Sequence, residues 1–294
     1  MVSSFQPEFH VFLFTCKTKH AIILLFLNLI KELIQMKTYE ELLFDIEDDM
    51  ELMGSSHIIY VREENGIPTD YDYLPSDFYT ISRTLKDLQD ELHQRILFEK
   101  ASDFSAEHNK NGQKLAIIFP GIGYTADKPL LYYSSRLARQ YNYQIQTVSY
   151  HSLPENVKGD PAKMKQAFDI AFRQTEQFLQ EIDWNSYGSI LFISKSIGTV
   201  IASAYASRHD LTVKSILFTP LAETFDFSLP GSIAFHGTAD PWAETNSICA
   251  LAEQKEIPLF LTKNANHSLE TGDIQRDIFN LKTTLKYVED FIQK

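Results

Sequence analysis

Ser196, Asp240 and His267 are the residues of this 294-residue sequence whose types and chain order could carry nucleophilic chemistry. A serine hydroxyl is a weak nucleophile near neutral pH and needs a base within hydrogen-bond reach. An imidazole base in turn needs a carboxylate to fix its tautomer and to stabilise the imidazolium that forms. Ser196 sits in Ser194-Lys195-Ser196-Ile197-Gly198, an S-x-S-x-G stretch whose small residues flank the central serine. Asp240 closes His236-Gly237-Thr238-Ala239-Asp240, and His267 lies in Asn264-Ala265-Asn266-His267-Ser268. Of the nine histidines only His267 follows Asp240, so a base placed after that acid has one candidate.

Such groups must be positioned by regular elements. Ile190 to Ile193 reads as a short buried strand, and the run from Thr199 to Ala206 as a helix. Strand, tight turn and helix with serine at the apex form a nucleophile elbow, in which small neighbours let the two elements approach closely. Further strands are expected at 114–119, 144–150, 213–219, 232–236 and 258–262. Helices are expected at 130–140, after Asp160-Pro161, at 244–256 and from Asp273 onward. Asp160 followed by Pro161 is an N-cap with proline at the first helical position. The last helix should bury Ile274, Ile278, Leu281, Leu285, Val288 and Ile292. Few of the strands alternate apolar with polar residues, which points to a parallel sheet covered on both faces. In such a sheet reactive groups gather beyond the carboxyl ends of the strands, where all three stretches fall.

With the elbow, the H-G-x-x-D loop, the N-H-S loop and Pro120-Gly121-Ile122-Gly123 in place, residues 114–294 resemble an α/β-hydrolase. The expected fold class is therefore α/β, a mostly parallel sheet of six or slightly more strands with helices on both faces. The resemblance implies Ser196 as nucleophile, His267 as general base and then acid, and Asp240 as orienting carboxylate. It also implies an oxyanion hole made by the backbone N–H groups of Ile197 and Ile122. Departures narrow the expectation. Serine stands where the family's elbow has glycine, there is no H-G-G-G loop, and only residues 220–231 lie where relatives insert a cap. These features suggest a minimal, uncapped hydrolase acting through an acyl-enzyme on a small carboxylic ester or related acyl bond. A non-catalytic protein of the same fold and an acyltransferase with the same triad are the alternatives.

Each candidate has a plainer reading beside it. Asp240 could cap a helix opening at Pro241, with Glu223 and Asp226 as reserve acids. His236 reads as a packing group, Lys195 as an exposed elbow lysine and Cys249 as core. Tyr124, Tyr132 and Tyr133 are candidates for the pocket wall or for core packing. Gly121-Ile122-Gly123 lacks the third glycine and ribose carboxylate of a dinucleotide site. No cofactor and no metal are expected.

Charge and composition bound the rest. The net charge of −12 is concentrated in residues 37–113, where 18 acidic residues face 7 basic ones. So acidic a chain is a poor match for a phosphate backbone, so no nucleic-acid partner is expected. Cys16 and Cys249 form no disulfide framework, which suits a reducing, cytoplasmic setting. Residues 37–113 read as an acidic, mainly helical module, a solvated face or a docking surface for a protein partner. One helix is expected around Leu43, Ile46 and Met50, a short strand at 57–61, and a loop from Ile67 to Phe78. A second helix is expected with Ile81, Leu85, Leu88, Leu92 and Ile96 on one face. Residues 101–113 read as a linker. In residues 1–35 the apolar run 21–30 is short for a bilayer span, so stable membrane insertion is not expected. Lys31-Glu32 can be encoded by AAGGAG, a ribosome-binding sequence spaced for a start at Met36. This marks 1–35 as upstream sequence read through, with a membrane-associating segment as the alternative.

Overall fold

The computed structural model describes residues 37–64, 67–74, 81–104 and 112–294. The readings for residues 1–35, Met36 and Cys16 lie outside the described residues. The chain divides into two compact units, one up to His93 and one from Gln94.

In the first unit, α1 (Tyr39–Met53) opens on a capping box. The Thr38 N–H donates to Glu41 at 2.8 Å, and the Glu41 N–H donates to the Thr38 hydroxyl at 3.2 Å. Strands β1 (Ile58–Glu64), β2 (Ile67–Asp72) and β3 (Ile81–Thr84) form an antiparallel sheet in the order β2-β1-β3. Leu42 and Ile46 of α1 pack with Ile59 and Val61 of the sheet and with Leu85, Leu88 and Leu92 of α2 (Leu85–Asp103). The unit thus holds three strands where one was expected. β2 replaces part of the expected loop, and Ile81, read as helical, is a half-exposed strand residue. The helix begins later because Thr84 and Asp87 cap it reciprocally, each side chain accepting the other's N–H.

The second unit is a sheet of six strands: β4 (Gln113–Phe119), β5 (Tyr143–Thr147), β6 (Tyr187–Lys195), β7 (Lys214–Phe218), β8 (Ser232–Gly237) and β9 (Leu259–Thr262). Their order is β5-β4-β6-β7-β8-β9, and every pair is parallel. Alternate residues of each strand face opposite layers. Leu115, Ile117, Phe119, Ile190 and Phe192 meet α4 (Pro161–Leu179) and α5 (Ile197–Arg208). Leu217 and Ala234 meet α6 (Thr245–Gln254). On the other face Ala116, Ile118, Leu191, Ile193, Ile216 and Phe218 meet α3 (Pro129–Gln140) and α7 (Ile274–Gln293). Asp160 and Asp273 cap α4 and α7, each accepting an N–H at 3.0 Å.

Two expectations change here. Part of the segment read as a linker is the end of α2, where Ala101 is buried in the core of the sheet's second face. The apolar stripe of α7 is buried only toward its end: Val288 and Ile292 are covered, whereas Ile274 and Ile278 are exposed. Among the described residues no helix is long and apolar enough to cross a membrane.

Candidate active site

The strand β6 ends at Lys195 and α5 begins at Ile197, leaving Ser196 alone to make the turn. Ser196 has φ 56° and ψ −126°, a conformation that costs an L-residue energy and that surrounding contacts must hold. The turn can be this tight because α5 lies against the end of β4. A Cβ on Gly198 would stand 2.3 Å from the Phe119 carbonyl oxygen, so no larger residue fits without movement. Ser194, in the slot where glycine is usual, is fully buried and donates its hydroxyl to the Ile216 carbonyl at 3.1 Å.

The acid and histidine loops follow β8 and β9 and are laced together. The Ala239 N–H donates to the Ala265 carbonyl at 2.9 Å, and the Asn264 N–H to the Thr238 hydroxyl at 2.7 Å. Gly237 permits this contact, since a Cβ there would lie 2.3 Å from the Ala265 oxygen. Asn266 shapes the histidine loop, its side-chain oxygen accepting the N–H groups of Ser268 and Glu270.

Three side chains then meet in one row. His267 Nε2 lies 2.7 Å from Ser196 Oγ, and His267 Nδ1 lies 2.7 Å from Asp240 Oδ2. With Asp240 ionised, Nδ1–H donates to the carboxylate and Nε2 is left to accept the serine proton. The other oxygen of Asp240 accepts the Trp242 N–H at 2.8 Å, so this carboxylate caps a turn as well as meeting the histidine. The helix expected at 244–256 runs from Thr245 to Gln254 with Glu244 as its N-cap, so Asp240 caps no helix at Pro241. Glu223 and Asp226 are exposed on a short 3₁₀ turn at Ala222–Asp226, and the carboxylate partner of His267 is Asp240.

Electrostatics favour a neutral imidazole at rest. Burial pushes the His267 pKa down, the hydrogen bond to Asp240 opposes this, and the Lys195 charge adds to the lowering; the net shift is downward. Burial pushes Asp240 upward, but its bonds to His267 and to the Trp242 N–H outweigh that and leave it below the ordinary range. His236 is fully buried, with Nδ1 3.8 Å from Asp240, too long for a hydrogen bond. Burial lowers its pKa too, so it packs behind the acid as a neutral group.

Lys195 departs most from expectation. Read as an exposed elbow lysine, it is fully buried. Residue 195 shares the parity of Leu191 and Ile193, so its side chain follows theirs onto the face covered by α3 and α7. Its Nζ donates to Thr219 Oγ1 at 2.5 Å and lies 4.9 Å from the centroid of the Tyr124 ring. Burial pulls its pKa down to about 7.

Ile197 directly follows Ser196, and the Gly121 backbone lies against Ser196, since a Cβ on Gly121 would stand 3.2 Å from the Ser196 Cβ. Ile197 is the first residue of α5, where a backbone N–H has no intrahelical acceptor. Ile122 is at the tip of a turn that the Gly121 N–H closes onto the Tyr124 carbonyl at 3.1 Å. Tyr124 also lines a cavity of about 380 Å³ beside the histidine loop, with Leu130, Asn266, Ser268, Leu269 and Ile274. Tyr132 and Tyr133 are exposed on α3 and belong neither to that wall nor to the core. Trp242, not singled out in the sequence, stacks on His267 with centroids 5.4 Å apart and planes 28° apart. Cys249 is half-buried against the α6 core, unpaired. Among the described residues no three metal-binding side chains gather.

The parallel sheet, the helices on both its faces and the serine turn after β6 make this an α/β-hydrolase fold. Solved structures similar to it include an α/β serine hydrolase without a lid from Xanthomonas campestris, at 13% identity and TM-score 0.44, covering 62% of this chain and 84% of that one. An esterase from Pyrococcus furiosus is similar at 10% identity and TM-score 0.45, covering 62% and 83%. A serine hydrolase homologue from Coxiella burnetii is similar at 11% identity and TM-score 0.42, covering 62% and 88%. No family model matches the chain, and no curated protein matches it.

Proposed function

We propose that this protein is a serine hydrolase that cleaves a small carboxylic ester or related acyl bond through an acyl-enzyme. The observation that carries the reading is the continuous row Ser196–His267–Asp240, with both contacts at 2.7 Å and the serine lifted on a strained turn. In this mechanism His267 Nε2 takes the Ser196 proton as Oγ attacks the acyl carbon, and Asp240 stabilises the imidazolium. The developing oxyanion is received by the N–H groups of Ile197 and Ile122, each such donor being worth about 3 kcal/mol in the transition state. The imidazolium then protonates the leaving alkoxide. Water, deprotonated by the same nitrogen, releases the acid and restores Ser196.

Small acyl groups are favoured because only the short turn Ala222–Asp226 stands where a cap would be inserted between β7 and β8. A reducing, cytoplasmic setting suits a chain with two cysteines.

A fluorophosphonate probe tests the proposal. Labelling of the wild-type protein that disappears in Ser196→Ala is the expected result. Folded wild-type protein that takes no label would reject the reading and favour a non-catalytic binder of this fold. Adding competing alcohols or amines to a turnover assay separates hydrolysis from acyl transfer.

A further inference from the structure

Lys195 is a buried charged group of the site region that the mechanism above does not use. Lysine is almost never fully buried unless paired. Among the described residues no carboxylate lies within ion-pair distance of its Nζ; its neighbours are a hydroxyl and an aromatic face. The hydroxyl is the informative partner. Thr219 Oγ1 accepts from Lys195 at 2.5 Å and donates to the backbone carbonyl of His267 at 3.2 Å. A threonine hydroxyl has a single proton, so a donor arriving from Lys195 commits that proton to His267. Thr219 has an unusual backbone conformation, φ 42°, and its N–H donates to the Phe235 carbonyl at 2.7 Å. Left-handed backbone is rare for a β-branched residue.

We propose that Lys195 is a positioning residue. Through Thr219 it fixes the peptide that carries His267, and as a buried ammonium two hydrogen bonds from that peptide it opposes a second positive charge on the imidazole. The inference rests on the reading of Ser196, His267 and Asp240 as a catalytic row. The charged and titratable groups around His267 are Asp240 and His236 from β8 and its loop, and Lys195 from β6. Trp242 stacks on its ring, and Lys158 from the segment before α4 lies over that indole at 5.4 Å. Of the two cations, Lys195 is the buried one, where solvent screens least.

The test uses the full chain and four variants. Lys195→Gln keeps a donor for Thr219 and removes the charge, and Lys195→Met removes both. Thr219→Val breaks the link and keeps the charge, and Thr219→Ser restores it. The imidazole of His267 is titrated by NMR, and the rate of fluorophosphonate labelling is followed against pH. Lys195→Gln should raise the His267 titration and move the acid limb of labelling upward with it. Thr219→Val should slow labelling about tenfold or more at its pH optimum, with Thr219→Ser close to wild type. An unmoved His267 titration in folded Lys195→Gln would overturn the electrostatic half. Wild-type labelling in Thr219→Val, or equal losses in the valine and serine variants, would overturn the positional half. The NMR titration needs no activity. A shifted imidazole in a protein that never labels would therefore count against the hydrolase reading and not against this one.

Discussion

Gly198→Ala is the sharpest test of the reasoning about the serine turn. The added Cβ would lie 2.3 Å from the Phe119 oxygen, 2.5 Å from the Pro120 oxygen and 2.8 Å from the Phe119 carbonyl carbon, whereas ordinary contact begins near 3.4 Å. All three obstacles are backbone, so no side chain can swing away. The start of α5 must retreat from β4 by about 1 Å, and overpacking of this kind costs about 1–3 kcal/mol. The same retreat moves Ser196 and the Ile197 N–H relative to His267, which is anchored in a different loop. A displacement of about 1 Å in a reacting group can cost about a hundredfold in rate. The assays are a urea unfolding curve and the second-order rate of fluorophosphonate labelling. The expected result is a lower unfolding midpoint and labelling slowed by about two orders of magnitude. Wild-type labelling in a folded Gly198→Ala protein would refute the claim that close approach of α5 to β4 sets the position of Ser196.

The remaining predictions can be checked on the same material. His267→Ala should lower turnover by several orders of magnitude with the fold retained, measured by steady-state kinetics. Asp240→Asn should keep the fold and lose roughly three to four orders of magnitude in rate, because the amide favours the wrong imidazole tautomer. His236 and His267 both have folded pKa values below the unfolded value of about 6.5, so between those limits the unfolded chain binds more protons. Stability should therefore fall as pH drops below about 6.5, and Lys195→Met should lessen the fall. Lys214 is buried and donates to the Ser102 and Phe291 carbonyls at 3.0 and 2.7 Å. Lys214→Met leaves both acceptors dry and should cost about 1–3 kcal/mol in urea unfolding.

Legibility in the sequence followed burial. Strands β4, β6, β7 and β8 are covered on both faces, and their continuous apolar runs announce them. The strands β2 (IPTDYD) and β3 (ISRT) are short and largely polar, because they form an edge pair around β1, and nothing in their pattern separates them from loop. The overextended reading of α2 came from apolar spacing that runs on through Ile81. The Thr84–Asp87 capping pair was the available signal that the helix starts later. For α7 the spacing of Ile274 and Ile278 indicated burial, yet both are exposed and line the cavity beside the histidine loop. Lys195 was misread by chemistry and not by pattern. Charge suggested exposure, while its alternation with Ile193 and Leu191 already placed it on a covered face. Trp242 left no trace beyond its position two residues after Asp240, because stacking between loops has no periodic signature.

The elbow itself turns out to depend on its two small slots unequally. The final slot faces backbone at 2.3 Å and accepts only glycine. The first slot lies inside the sheet, where Ser194 fits and its hydroxyl satisfies the Ile216 carbonyl across the ladder. Serine there is an alternative solution with its own hydrogen bond, not a weakened glycine. Ser194→Gly, which restores the commoner pattern, should therefore lose about 1 kcal/mol of stability and bring no gain in labelling. A faster or more stable Ser194→Gly protein would mean that the first slot, too, is set by crowding. The geometry here assigns crowding to Gly198 and hydrogen bonding to Ser194.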